Sequence, residues 1–134
     1  MTGLVIDSSV TMSWCFEDEA TPKSDALLDR VVNDSALVPA LWRLEVSNVL
    51  LAAERRGRIS EAQATRFIAL LGQLPITVDS DGASMSELLT VGRAHGLSAY
   101  DTEYLALAAK RGLPLATTDM QLRTACKSAG VSLA

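Results

Sequence analysis

Four carboxylates in this sequence, Asp7, Glu45, Asp101 and Asp119, sit where acids are conspicuous, and each has a plain structural reading beside a chemical one. Asp7 follows the apolar run Leu4-Val5-Ile6 and precedes Ser8-Ser9, so it can end a strand and cap the turn that follows. Glu45 falls on a helical pattern beginning at Leu41, in which Trp42, Val46, Val49, Leu50 and Ala53 form an apolar stripe. It borders that stripe, in line with Leu41, Asn48 and Ala52. A carboxylate there costs free energy unless it is paired or holds a cation, and Arg43 points elsewhere on the wheel. Asp101 closes Ser98-Ala99-Tyr100-Asp101, which matches a capping box, yet it shares a helix face with Leu97, Tyr104, Leu105 and Ala108. Glu103 points away from that stripe and is expected in solvent. With Thr118 as a cap, Asp119 is the first residue of the next helix, where the helix dipole favours a negative charge.

Taken together the acids converge. Asp7 and Asp119 each follow a short apolar strand, and ligands in parallel α/β sheets bind beyond the carboxyl ends of the strands. Grouped carboxylates repel one another unless cations offset the charge. A donor set of carboxylates without histidine is hard and all-oxygen, which suits Mg²⁺ or Mn²⁺ rather than zinc. Metals held in this way lower the pKa of water and stabilise charge developing on a phosphodiester. Asn48, one turn after Glu45, and Thr117 or Thr118 are placed to orient water or carboxylates.

The elements that must position these residues follow from periodicity. Strands are expected at Leu4-Val5-Ile6, Ala36-Leu37-Val38-Pro39, Ile76-Thr77-Val78, Pro114-Leu115-Ala116-Thr117 and, last and shortest, Val131-Ser132-Leu133. Helices are expected from Thr21-Pro22 to about Asn33, Leu41 to Arg56, Ser60 to Gln73, Ser84 to His95 and Ser98 to Arg111. Ser60-Glu61-Ala62-Gln63 and Thr118-Asp119-Met120-Gln121 both read as capping boxes. Strands alternating with helices pair in parallel through crossovers, which gives a single-domain, three-layer α/β/α sandwich with a mostly parallel sheet of four to five strands.

Composition narrows the function. The 134 residues carry a net charge of −4 and are 49% apolar, which fits one well-buried domain and not a general nucleic-acid coat protein. Cys15 and Cys126 are far apart, which argues against a disulfide scaffold or thiolate zinc site and fits a reduced, cytoplasmic setting. No apolar run approaches a membrane span, and no signal peptide is expected. Metal-free ribonucleases usually need two histidines. His95 is the only one here, and it reads as the last turn of a helix capped by Gly96. Trp14, Phe16 and Trp42 are expected mostly in the core.

At these residues the chain resembles the PIN-domain family, and within it the VapC-type toxins of toxin–antitoxin pairs. The resemblance runs through Leu4-Val5-Ile6-Asp7-Ser8-Ser9-Val10, then Leu44-Glu45-Val46-Ser47-Asn48-Val49-Leu50 with Arg55-Arg56-Gly57-Arg58-Ile59-Ser60. It continues through Leu97-Ser98-Ala99-Tyr100-Asp101-Thr102-Glu103-Tyr104-Leu105-Ala106-Leu107-Ala108 and Leu115-Ala116-Thr117-Thr118-Asp119-Met120-Gln121-Leu122. It implies an acidic metal site of Asp7, Glu45, Asp101 and Asp119, supported by Thr117 and Ser9. It further implies an Mg²⁺- or Mn²⁺-dependent endoribonuclease, a homodimer, an RNA substrate and a small cognate antitoxin. The departures are Thr118, where an apolar residue is more usual, and Glu103 beside the third motif. Arg43, Arg55, Arg56, Arg58, Lys110 and Arg111 are candidates for phosphate contacts.

Rival readings are weaker. A receiver domain needs an acidic pair at its first strand and a lysine after a later one, and both are absent. A haloacid-dehalogenase-like phosphatase needs a second Asp two residues after the first, where Ser9 stands. A silent PIN-fold binding module, or a DNA nuclease of the same fold, stays open at this stage.

Overall fold

The computed structural model of the protein describes residues 3–134. Its strands are β1 (Leu4–Ile6), β2 (Ala36–Pro39), β3 (Ile76–Asp79) and β4 (Leu115–Ala116). Its helices are α1 (Ser8–Ser13), α2 (Pro22–Asp34), α3 (Leu41–Arg55), α4 (Glu61–Gln73), α5 (Met85–His95), α6 (Ala99–Arg111) and α7 (Met120–Ala129), with a 3₁₀ turn at Glu17–Glu19. The sheet is parallel throughout, in the order β3-β2-β1-β4, and the helices flank it as an α/β/α sandwich. Among the described residues no helix is long and apolar enough to cross a membrane.

Local chemistry accounts for the element boundaries. Thr21 and Ser24 close a capping box ahead of Pro22, and Ser60 closes another with Gln63. Ser84 and Ser98 cap α5 and α6 by accepting from the third residue of each helix. Gly96 and Gly112, at φ 64° each, end those helices in the left-handed region that glycine enters without strain. His95 therefore occupies the last turn of α5, where a side chain of that type was expected.

The core explains the rim. Leu4, Val5 and Ile6 are all 0% exposed, because β1 is flanked by strands on both edges and helices on both faces. Registers of Leu4 with Ala36, Ile6 with Ala116 and Pro39 with Asp79 bring the strand ends to one level. Asp7, Asp79 and Thr117 thus lie on one rim of the sheet. Phe16 and Trp42 are buried, while Trp14 is half-buried and donates Nε1–H to Ser24 O at 2.9 Å.

Several expectations are corrected. Val131-Ser132-Leu133 does not form a full fifth strand: it makes a single parallel bridge, Leu115 to Leu133. Only the Leu115 N–H to Ser132 O and Ala134 N–H to Leu115 O bonds, 2.9 and 3.0 Å, continue the ladder. The segment after Asp7 is a six-residue helix, α1, and not merely a turn. Asp119 is itself the cap of α7, its carboxylate accepting from Leu122 N–H at 3.0 Å, so Thr118 is not the cap and no capping box forms there. Glu103 is half-buried and accepts from Ala83 N–H at 3.2 Å, so it is not a solvated acid.

Candidate functional site

Asp7 is the buried centre of the rim, 5% exposed at the carboxyl end of the central strand. Its Oδ1 accepts from Ser9 Oγ at 2.6 Å and from Val10 N–H at 3.0 Å, and its Oδ2 accepts from the Thr117 hydroxyl. Every donor is neutral. Burial pushes the Asp7 carboxyl above the usual range; bonds from Ser9, Thr117 and Val10 act against that, and the charge of Asp119 adds to it.

The other acids arrive on separate elements. Asp119 caps α7 just past β4, and its own N–H donates to Thr117 Oγ1 at 3.0 Å, so one threonine touches both acids. Ser9 works similarly, donating to Asp7 and accepting from Thr118 N–H at 3.2 Å. Glu45 reaches the rim from α3, half-buried, with Oε1 accepting from Tyr104 Oη–H at 2.6 Å. Asp101 stands in the first turn of α6, half-buried. Its N–H bonds to Ser98, but its carboxylate accepts no hydrogen bond among the described residues, so the capping box is only half formed.

The acids feel one another's charge. Burial is the main cause raising Glu45; the Tyr104 bond opposes it, and Asp101 and Asp7 add to it. Burial also leads for Asp101, followed by Asp119 and Asp7. Among the described residues none of the four is in an ion pair. Nor are three or more described His, Cys, Asp and Glu side chains drawn into a ready-made ligand cluster. The donor chemistry nonetheless fits a hard divalent cation: carboxylates alone, with Asp7, Glu45 and Asp101 pushed toward protonation by burial first and by neighbouring acids second, and with oxygens on Glu45 and Asp101 that accept no hydrogen bond among the described residues.

Two contacts absent from the sequence reading hold this arrangement. Trp42 Nε1–H donates to Thr11 Oγ1 at 2.9 Å, and Thr11 Oγ1–H donates to Asp7 O at 2.9 Å, which ties α3 to the strand end. Tyr104 ties α3 to α6. Both rest on polar atoms of residues whose spacing marks them as core. Asn48 makes no hydrogen bond among the described residues; it is exposed in a shallow groove with Glu45, Leu44, Ser47, Leu51 and Tyr100.

Two phosphate-contact candidates have partners already. Arg58 Nη2 pairs with Asp18 at 2.7 Å and Glu19 at 3.0 Å, its guanidinium stacked 3.7 Å from the Phe16 ring centroid. Arg111 Nη2 pairs with Asp79 at 2.6 Å. A separate hollow by β3 contains Asp79, Glu103 and Lys110, but Asp79 is held by Arg111 and Glu103 by the Ala83 N–H.

The chain as a whole resembles known proteins. Ribonuclease VapC3 of Pyrobaculum aerophilum is 28% identical over 121 residues, covering 89% of this chain and 91% of that protein. The crystal structure of PAE2754 from Pyrobaculum aerophilum superposes with a TM-score of 0.73 at 23% identity, covering 92% of this chain and 84% of that one, a likeness of fold. The PIN domain family model matches residues 4–128, which takes in all four acids and every strand of the sheet. The chain belongs to the PIN-domain family.

Proposed function

We propose that this protein is a Mg²⁺-dependent endoribonuclease, with Mn²⁺ able to substitute, acting as the toxin of a toxin–antitoxin pair. What supports this reading is that Asp7, Glu45, Asp101 and Asp119 lie near enough to feel one another's charge, and that none of them has an ion-pair partner among the described residues. Likeness to a protein named a ribonuclease supports RNA as the substrate. Asp7, Asp101 and Asp119 would hold the cation, and Glu45 would complete its shell or orient the attacking water. A bound divalent cation supplies Lewis-acid charge to a phosphodiester as it reacts.

The chain's own side chains have separable tasks. Ser9, Val10 N–H and Thr117 fix both oxygens of Asp7, so that it meets its ligand without rearrangement. Asp119 is held at the start of α7 by Leu122 N–H. Glu45 keeps one oxygen free to direct water at the phosphate, and attack by water leaves a 5′-phosphate and a 3′-hydroxyl. Likeness to a VapC-type ribonuclease supports a cognate antitoxin as partner. We also propose a homodimer and a cytoplasmic location, the latter supported by two unpaired thiols, Cys15 and Cys126.

Total RNA incubated with wild type, Asp7→Asn and Asp101→Asn, with Mg²⁺, Mn²⁺ or EDTA, tests the reading. The expected result is discrete, metal-requiring cleavage with 5′-phosphate ends that is lost in both folded variants. A 2′,3′-cyclic product would sink the hydrolytic mechanism. Intact RNA with metal bound favours a silent binding module, and cleavage of DNA instead favours a DNA nuclease.

A further inference from the structure

We infer that Tyr104 is a positioning residue for Glu45, holding its Oε1 so that Oε2 would be the oxygen left for a cation or a water. The inference rests on the nuclease reading above and concerns how its most flexible acid is aimed. Asp7 and Asp119 are fixed by backbone N–H groups of the helices that follow them. Glu45 lies in the second turn of α3, its side chain accepts from no backbone N–H among the described residues, and it has one more rotatable bond than an aspartate. Left alone it would sample several rotamers and lose entropy on binding a ligand.

The Tyr104 hydroxyl removes that freedom. The ring is 1% exposed, so its own position is set by packing, and it is one helical turn after Asp101 on α6. Its Oη donates to Glu45 Oε1 at 2.6 Å, the only hydrogen bond that the Glu45 side chain makes among the described residues. The phenol O–H is an uncharged hydrogen-bond donor. A neutral donor suits this place because it orients a carboxylate without cancelling the charge that a cation needs. A lysine there would give Glu45 an ion pair, which none of the four acids has among the described residues.

Tyr104→Phe removes one oxygen and leaves the ring, so metal-free thermal melting should stay close to wild type. Mn²⁺ affinity measured by calorimetry should fall by about 10- to 100-fold, the usual effect of removing a partner that orients a metal ligand. RNA cleavage should fall alongside it. Paired with Glu45→Gln, the double variant should bind Mn²⁺ no more weakly than Glu45→Gln alone, because Tyr104 acts through Glu45. Wild-type Mn²⁺ affinity in Tyr104→Phe, or an equal further loss in the double variant, overturns the inference while the nuclease reading stands. A wild type that neither binds Mn²⁺ nor cuts RNA overturns both.

A direct measurement covers the case in which Tyr104→Phe fails to fold. The chain has only two tyrosines, Tyr100 and Tyr104, so ring-carbon labelling gives two signals that Tyr100→Phe assigns. The Tyr104 Cζ signal should move with Mg²⁺ saturation in the wild type and stay fixed in Glu45→Gln. A signal indifferent to Mg²⁺ in the wild type overturns the inference.

Discussion

Two buried aspartates end parallel strands at the same level of the sheet, and they have opposite surroundings. Asp79, at the end of β3, is 8% exposed and meets the Arg111 guanidinium through Nε and Nη2, at 3.1 and 2.6 Å. That partner is the main reason its pKa is lowered. Asp7, at the end of β1, is 5% exposed and meets hydroxyls and an N–H, and burial raises its pKa. The chemical group and the small solvent exposure are alike, although β1 is a central strand and β3 an edge strand. The difference is the counter-charge: Asp79 completes an ion pair of the fold, while Asp7 is satisfied in geometry and unsatisfied in charge. Other acids gather around Asp7, which increases the deficit. On the proposed reading, what leaves Asp7 open to a cation and Asp79 closed to one is the positive partner that Asp7 lacks among the described residues.

The contrast can be broken most forcefully at Asp7. Asp7→Asn keeps the shape and removes the charge, so RNA cleavage should fall by about a thousand-fold, the equivalent of several kcal/mol of lost charge stabilisation. The same variant should melt, in EDTA, no earlier than wild type, and Mg²⁺ should no longer raise its melting temperature. Early melting in EDTA would show that Asp7 stabilises the fold as Asp79 does.

Thr117→Val comes next. It deletes a hydroxyl that touches both Asp7 and Asp119 while keeping the branched shape, so Mn²⁺ affinity should fall by about 10-fold or more in calorimetry. Unchanged affinity would mean that Thr117 only fills space.

Asp79→Asn should do the reverse of Asp7→Asn. Cleavage and metal affinity should hold, while urea unfolding should show a loss of about 1 kcal/mol, below the range for a buried charged bond because Arg111 is 36% exposed. A drop in cleavage with stability intact would place Asp79 in the site.

The smallest effect is in the pH dependence of metal-free stability, read from urea midpoints in EDTA. Asp7, Glu45 and Asp101 have folded pKa values above their unfolded ones, so their contribution is greatest below about pH 4 and is lost as pH rises through the raised values. Asp79 has a lowered value, so its contribution is present above about pH 4 and is lost as pH falls through that value. Asp7→Asn should flatten the first slope and Asp79→Asn the second. Identical slopes in both variants would erase the distinction between the two aspartates.

Much of the fold was readable because its signals are local. Leu4-Val5-Ile6 stops at Asp7, and Ser60, Ser84 and Ser98 mark helix starts by side chains that bond the nearby backbone. What was missed is either too short or decided at a distance. At six residues, α1 is too short to display a helical period. Thr118 and Asp119 are both good caps by type, and the choice falls to Asp119 because its N–H is drawn to Thr117, whose hydroxyl is oriented by Asp7 on another strand. Arg58 and Arg111 read as free cations until the fold brings Asp18 and Asp79 to them. The four acids could be named from apolar neighbours and strand ends. Tyr104 could not, since its position on a core face hides what its one polar atom does.

The bond between Thr117 and Asp7 closes a loop of 110 residues, and β4, which carries Thr117 to the rim, is the last strand to join the sheet. On the ribosome, then, β1 waits with one edge unpaired until the segment bearing Thr117 and Asp119 has been made. Asp7 and Glu45 emerge long before the residues that complete their surroundings. A half-made chain therefore has Asp7 and Glu45 but not the Thr117 and Tyr104 hydroxyls that bond them, and topology alone delays the completed arrangement until synthesis has passed β4.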